Sequence, residues 1–522
     1  MNLYIYLFFL LFILDSACII SIIFIENRDT TTTWAWLLIL LMFPFLGFLL
    51  YLCFGQNISK EKIFTKKAFI DNYKLINSIN LINSKKSVQN NMSNENLNLI
   101  KMNLNTNGSL YTNNNSIKIY CDGENKFKDL INDIKAAKKF INIEYYIFRL
   151  DNLGSQIIDI LKKKVDEGIE VRLLVDGMGS SGLSKKQQKY IKNCKIKFAI
   201  FFPNLFSFIN LRVNYRNHRK IVVIDNEIGY IGGFNVGDEY VNKGNKFEFW
   251  RDTHLRITGD SVYELNKRFT LDWEYAAKED IDKIQNNIFP LTNNTNTLNM
   301  ELTKDVIKKS NEMFNNNKSF YSIDSTNFSK EDATNNNFFY DVGMQIVSSG
   351  PDNLEEYIRN SYLKIISNAK KYIYIQTPYL VLDDPMITAL KIASFSGIDI
   401  RIMVPNKADH FFMKYALNSS IGNLISSGVK FYKYKKGFIH SKTIVSDSKI
   451  SSIGTANLDI RSFKLNFEIN AIIYNSTVAK KNTEIFLRDM NDCHLLSIDE
   501  YKNRGTLVKI CESLVRLVFP IL

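Results

Sequence analysis

Two eight-residue phrases in this 522-residue chain read H-x-K-x4-D: His218-Arg-Lys220-Ile-Val-Val-Ile-Asp225 and His440-Ser-Lys442-Thr-Ile-Val-Ser-Asp447. The sequence holds only 5 His, so two of them in one context point to a duplicated catalytic half-site. Each copy runs on to a turn of small residues and an amide, Gly232-Gly-Phe-Asn235 and Gly454-Thr-Ala-Asn457, with the Asn 17 residues after its His in both. Lys220, Lys442 and the amides of Asn235 and Asn457 suit a phosphate oxyanion. Paired imidazoles, His218 and His440, suit one that attacks while the other protonates the leaving oxygen. The chemistry expected is phosphodiester transfer through a phosphohistidine.

A nucleophilic imidazole needs one free nitrogen, so a carboxylate is expected on its other ring N–H. Asp252 and Glu468 are the candidates, since each opens a strand-like run soon after its Asn. Asp225 and Asp447 complete the catalytic motifs, yet they end their own strands and are expected to fix loop backbone. Glu144 and Gln376, at the ends of earlier strands, read equally well as buried hydrogen-bonding residues or as site residues. Of the other histidines, His254 on an alternating strand reads as structural, His410 on a loop could touch substrate, and His494 carries no pattern. No Cys or His cluster has ligand spacing, so neither a metal nor another cofactor is expected.

The elements that must position these residues follow from periodicity. The β-branched runs Ile221 to Ile224 and Thr443 to Val445 read as buried strands. Residues i and i+2 of a strand share a face, so each His points into a pocket beside its Lys. The repeat extends upstream: Ile141-Asn-Ile-Glu144 matches Ile373-Tyr-Ile-Gln376, and Gly168-Ile-Glu-Val matches Gly397-Ile-Asp-Ile. Between these strands Ile157, Ile158, Leu161 and Val165 recur at helical spacing, as do Ile387, Leu390 and Ile392. Strands alternating with helices predict an α/β fold: two α/β lobes forming one pseudo-twofold active site.

At this point the chain resembles the phospholipase D superfamily, whose members carry two H-x-K-x4-D motifs, and within it the bacterial cardiolipin synthases. The narrower likeness rests on Glu26-Asn-Arg-Asp29, Thr33-Trp-Ala-Trp36, Asn214-Tyr-Arg-Asn-His-Arg-Lys220, Trp250-Arg-Asp-Thr-His-Leu-Arg-Ile257, Gln376-Thr-Pro-Tyr379 and Gly454-Thr-Ala-Asn-Leu-Asp-Ile-Arg-Ser-Phe463. It covers nearly the whole chain. The resemblance implies His218 as nucleophile and His440 as general acid. It also implies transfer of a phosphatidyl group between two phosphatidylglycerol molecules, giving cardiolipin and glycerol. A hydrolytic phospholipase D or a nuclease would use the same residues, and a silent lipid-binding scaffold is the third reading. Intact copies of both motifs speak against the scaffold. After Gln376 the chain reads Tyr379-Leu-Val-Leu-Asp-Asp384, a departure from the family pattern that bears on headgroup or acyl contacts.

The amino terminus bears on location. Leu3 to Ile25 and Trp34 to Phe54 are apolar runs of spanning length, which predicts a transmembrane hairpin ahead of the lobes. The first run lacks the basic start and cleavage site of a signal peptide. Asp15 is expected to face the partner helix, Trp34 and Trp36 to lie near an interface, and Pro44 to kink the second span. Lys60, Lys62, Lys66 and Lys67 follow the second run. The positive-inside rule therefore puts both termini and the catalytic lobes on the cytoplasmic side of a bacterial cell membrane. A formal charge of +13 suits an anionic membrane surface; it would also suit nucleic acid, but no nucleic-acid partner is expected, because a nuclease needs no hairpin. The expected organisation is 1–57 hairpin, 58–115 Asn-rich linker, 116–285 first lobe, 286–340 Asn-rich linker or insertion, and 341–522 second lobe.

Overall fold

The structure, a computed structural model, describes residues 2–24, 30–51, 64, 67, 92–203, 214–244, 246–279, 337–409 and 411–518. The first half supplies strands β1 (Tyr111–Tyr120), β2 (Phe140–Tyr145), β3 (Glu170–Asp176), β4 (Lys197–Phe201), β5 (Arg216–Asn217), β6 (Ile221–Ile224), β7 (Ile228–Gly232), β8 (Trp250–Arg251) and β9 (His254–Thr258). The second supplies β10 (Phe338–Ser349), β11 (Tyr372–Gln376), β12 (Leu380–Val381), β13 (Asp399–Pro405), β14 (Lys430–Tyr434), β15 (Phe438–Ile439), β16 (Thr443–Ser446), β17 (Ile450–Gly454), β18 (Leu458–Asp459), β19 (Asn466–Ile473) and β20 (Cys493–Leu496).

One sheet runs through both halves, in the order β4-β3-β2-β6-β7-β9-β1-β10-β19-β17-β16-β11-β13-β14-β20. Outward from the antiparallel β1·β10 seam, β1-β9-β7-β6-β2-β3-β4 repeats as β10-β19-β17-β16-β11-β13-β14. In each half the strand after the His lies beside the strand that carries Glu144 or Gln376. Strands β2-β3-β4 and β11-β13-β14 are parallel and need helical crossovers, while the edge strand β20 is antiparallel to β14. Helix Asn152–Asp166 buries Ile157, Ile158 and Leu161 under the first half, and helix Asp384–Phe395 buries Leu390 under the second. Ile392 is exposed, off the predicted apolar face. Both helices stop at a glycine in the left-handed region, Gly168 (φ 85°) and Gly397 (φ 87°), a conformation that favours glycine.

Part of the stretch expected as linker is regular structure. Helix Asn94–Asn107 is capped by Ser93, whose Oγ accepts from Asn96 N at 3.3 Å, and it buries Leu99 and Ile100. β1, inside an Asn-rich tract, lies at the centre of the sheet. Its Asn115 is fully buried because the amide donates to Val342 O (2.9 Å) and accepts from Ser261 N (2.8 Å). Of the expected linker or insertion at 286–340, residues 286–336 lie outside the described residues, and β10 begins within its last three.

At the amino terminus Asn2–Phe24 is one helix of 23 residues, whereas the second apolar run is two helices, Thr30–Met42 and Pro44–Leu50. The break falls on Phe43 (φ −136°, ψ 67°), the residue that a following proline drives out of the helical region. Ile22, Trp36, Leu40 and Tyr51 form the contact between the helices, and Trp36 meets Tyr51 edge-on at 5.6 Å. Asp15 is buried, while Trp34, Phe12, Ile13, Ile20 and Leu41 are exposed. Counted over the described residues alone, no helix is long and apolar enough to cross a membrane.

Candidate active site

Each motif His is aimed by a two-residue parallel bridge that joins the halves. β5 pairs with the start of β19, Asn217 opposite Phe467, and His218 N donates to Phe467 O at 2.9 Å. β15 pairs with β8 in the same way, Ile439 opposite Arg251, and His440 N donates to Arg251 O at 2.7 Å. The next residues in register are the two carboxylates. His218 Nδ1 lies 2.9 Å from both oxygens of Glu468, and His440 Nδ1 lies 2.7 Å from Asp252 Oδ2. Each imidazole is therefore held by the carboxylate of the opposite half. A carboxylate only accepts, so Nδ1–H donates and Nε2 is the nitrogen left for chemistry.

The lysines sit beside the histidines as strand alternation requires. Lys220 Nζ donates to His218 O at 2.8 Å, and Lys442 Nζ donates to His440 O. Both are buried. Burial, opposed by Glu468 and Asp252, lowers Lys220 to about 7 and Lys442 to about 8. Burial likewise lowers both histidines to about 4. Lys442 also acts on His218, and Lys220 on His440, so the charges of both halves share one site. Burial works against the Asp252 carboxylate, but Lys442 and His440 outweigh it and hold Asp252 below the usual range. Rings close the sides: Tyr146 meets His218 edge-on at 4.9 Å, and Trp250 lies 5.3 Å from His440.

Asp225 and Asp447 face away from this chemistry. Asp225 accepts from the backbone N–H of Lys138, Lys139 and Phe140 (2.7, 2.7 and 2.8 Å), and Asp447 from Lys370, Lys371 and Tyr372 (2.7, 2.9 and 2.9 Å). They pin the entries to β2 and β11. Asn235 Oδ1 accepts from Ile147 N (3.1 Å) and its Nδ2 donates to Tyr240 Oη (3.3 Å). Asn457 is buried, and its Oδ1 has no protein partner. Glu144 accepts from Asn217 at 2.5 Å, one residue before His218. Burial, reinforced by Asp272, raises the Glu144 carboxyl to about 8. Gln376 donates to Asp489 at 3.0 Å. His254 is buried against Tyr230 and Phe234, His494 pairs with Glu500 at 2.6 Å on the surface, and His410 lies outside the described residues.

Two arginines escaped the sequence reading. Arg219 Nε donates to Glu468 O (3.1 Å) and its Nη1 to Asp272 (2.5 Å). Arg251 Nη1 donates to Asp252 O, and its Nε to Asp489 (2.8 Å). Each buried guanidinium thus braces the backbone of a His-holding carboxylate. Arg219 follows His218 whereas Arg251 precedes Asp252, so alignment of the two halves does not pair them. The Gly-Gly turn has a spatial reason as well: a Cβ on Gly233 would lie 1.9 Å from Asp252 Oδ1.

Two H-x-K-x4-D strands, each His clamped from across the seam, define a phospholipase D-type enzyme, and a family model described as "Phospholipase D" matches residues 235–385. The model "Cardiolipin synthase, PLD-like domain" matches residues 130–273 and 362–490, and "Phospholipase_D-nuclease N-terminal" matches 13–56. A cardiolipin synthase of Clostridium perfringens is 44% identical over 500 residues, 95% of this chain and 96% of the relative. The major cardiolipin synthase of Bacillus subtilis is 42% identical over 518 residues, 98% of each. The chain belongs to the cardiolipin synthase family. A phosphatidylserine synthase structure from Haemophilus influenzae shares the fold, with a TM-score of 0.55 at 15% identity, over 83% of this chain and 100% of that one.

Proposed function

We propose that this membrane-associated enzyme transfers the phosphatidyl group of one phosphatidylglycerol to a terminal hydroxyl of a second, giving cardiolipin and glycerol. The observation that carries the reading is the crossed pair of His–carboxylate contacts in one site with two buried lysines. His218 Nε2 attacks phosphorus, and the P–N bond forms as the bond to the glycerol oxygen breaks. His440 delivers the proton that glycerol takes away. Glu468 stabilises the positive charge that develops on His218. The now neutral His440 then accepts a proton from the hydroxyl of the second lipid, which attacks phosphorus and frees His218. Lys220, Lys442, Asn235 and Asn457 hold the non-bridging oxygens. Burial, which lowers each imidazole to about 4, favours the neutral form of both at pH 7. An anionic diester raises the pKa of His440 as it binds, which couples acid formation to substrate arrival.

The helices at 2–50 form a two-span hairpin in this reading, with lipid on their exposed apolar faces and Asp15 turned inward. The Lys-rich segment after them keeps the catalytic lobes at the cytoplasmic leaflet. Purified protein incubated with labelled phosphatidylglycerol, beside His218→Ala and His440→Ala, tests the function. Cardiolipin plus glycerol, absent with either variant, is the expected result; phosphatidic acid as the sole product would make the enzyme a hydrolase.

A further inference from the structure

The last described helix, Thr506–Val518, leaves a large apolar face uncovered. Glu512 and Val515 turn inward, while Leu507, Ile510 and Leu514 are 78%, 50% and 59% exposed. Their spacing of three and four residues puts them on one face. Lys509 and Arg516 are exposed on the same helix. Its one acid, Glu512, is buried and bound through both oxygens to Arg504 (2.9 and 2.7 Å), so the negative charge is cancelled inside the protein. The helix packs along Phe411–Leu424, whose first turn exposes Phe412 and Lys414. That second helix begins two residues after Asp409, which accepts from the Tyr379 hydroxyl and acts on Lys442 of the catalytic site.

We propose that the Thr506–Val518 helix, with the first turn of Phe411–Leu424, is an interfacial docking surface for an anionic lipid bilayer. An apolar stripe on a helix whose exposed charges are cations and whose acid is internally paired matches a negatively charged headgroup layer. Because the surface adjoins the rim of the catalytic site, docking presents that rim to the leaflet from which lipid substrates come. The inference rests on the membrane location read above and adds a second, electrostatically selective contact to the amino-terminal helices.

The test uses the full chain in nanodiscs of phosphatidylcholine alone or of phosphatidylcholine with phosphatidylglycerol. Amide hydrogen exchange over 506–516 is expected to slow severalfold only in the anionic discs. The triple variant Leu507→Glu, Ile510→Glu, Leu514→Glu should lose about tenfold or more in turnover of bilayer phosphatidylglycerol, yet stay within about twofold on a short-chain phosphatidylglycerol dissolved as monomer. Equal exchange in both lipids, or a triple variant as active on bilayers as its parent, overturns the proposal. Flotation with neutral vesicles at high salt reports on the amino-terminal helices alone. Failure of the parent chain to float would sink the hairpin while the exchange result still judges the docking surface.

Discussion

Replacing Glu468 by Gln keeps the size of the side chain that holds His218 and removes its charge. Both carboxylate oxygens lie 2.9 Å from His218 Nδ1 in a fully buried setting. A hydrogen bond to a charged group contributes about 1.5–3 kcal/mol, which at about 1.4 kcal/mol per tenfold corresponds to a loss of roughly 10- to 150-fold. Gln can also donate to Nδ1, which leaves the proton on Nε2 and blocks attack, so the loss should sit at or above the top of that range. Asp252→Asn should cost a similar factor, but through His440. The assay separates the two by leaving group. On phosphatidylglycerol both variants should form the covalent intermediate slowly in a rapid-quench experiment. On a phosphatidyl ester of p-nitrophenol, which departs without a proton, Asp252→Asn should recover and Glu468→Gln should stay slow. Recovery of Glu468→Gln with persistent loss in Asp252→Asn would mean that each carboxylate serves the His of its own half, and would refute the crossed arrangement.

Phosphate binding should fall with pH. Lys220 and Lys442 are cationic below their lowered pKa values of about 7 and 8 and lose charge above them. Affinity for glycerol phosphate, followed by competition, should therefore decline between pH 7 and 9; a flat profile to pH 10 would contradict the assignment. Gly233→Ala should abolish transfer while the chain stays folded by circular dichroism, since its Cβ would displace the Asp252 carboxylate from 1.9 Å away. Wild-type turnover in that variant would show that Asp252 does not need its position. Asp225→Ala removes the acceptor of three backbone N–H groups. It should cost about 3 kcal/mol in stability, seen as a lower thermal midpoint, with most of the turnover per folded molecule retained. Complete loss of turnover without a shift in midpoint would make it catalytic.

Much of the candidate site was readable because its motif is written twice. The two His, the two Lys and both carboxylates were named from motif and spacing, and strand alternation put each His beside its Lys. The partner of each carboxylate was not readable. It is set by β5·β19 and β8·β15, bridges of two residues that carry no periodic signal. Composition misled at the start of β1. Tyr111-Thr-Asn-Asn-Asn115 looks like a solvated linker, yet it opens a central strand because Asn115 finds hydrogen-bonding partners for its amide inside the sheet. Arg219 and Arg251 were missed because the halves brace their carboxylates from different positions in the chain. The break at Phe43 was half read: Pro44 was expected to kink a single span, and it divides the run into two helices.

The most direct test of covalent transfer is to acid-quench the enzyme during turnover of phosphatidylglycerol, digest it under conditions that spare phosphoramidates, and map the modified peptide. A phosphatidyl adduct on His218, formed and discharged fast enough to support turnover, is the expected result. An adduct on His440 would invert the roles of the two histidines, and turnover to cardiolipin with no adduct on either would contradict the phosphohistidine route.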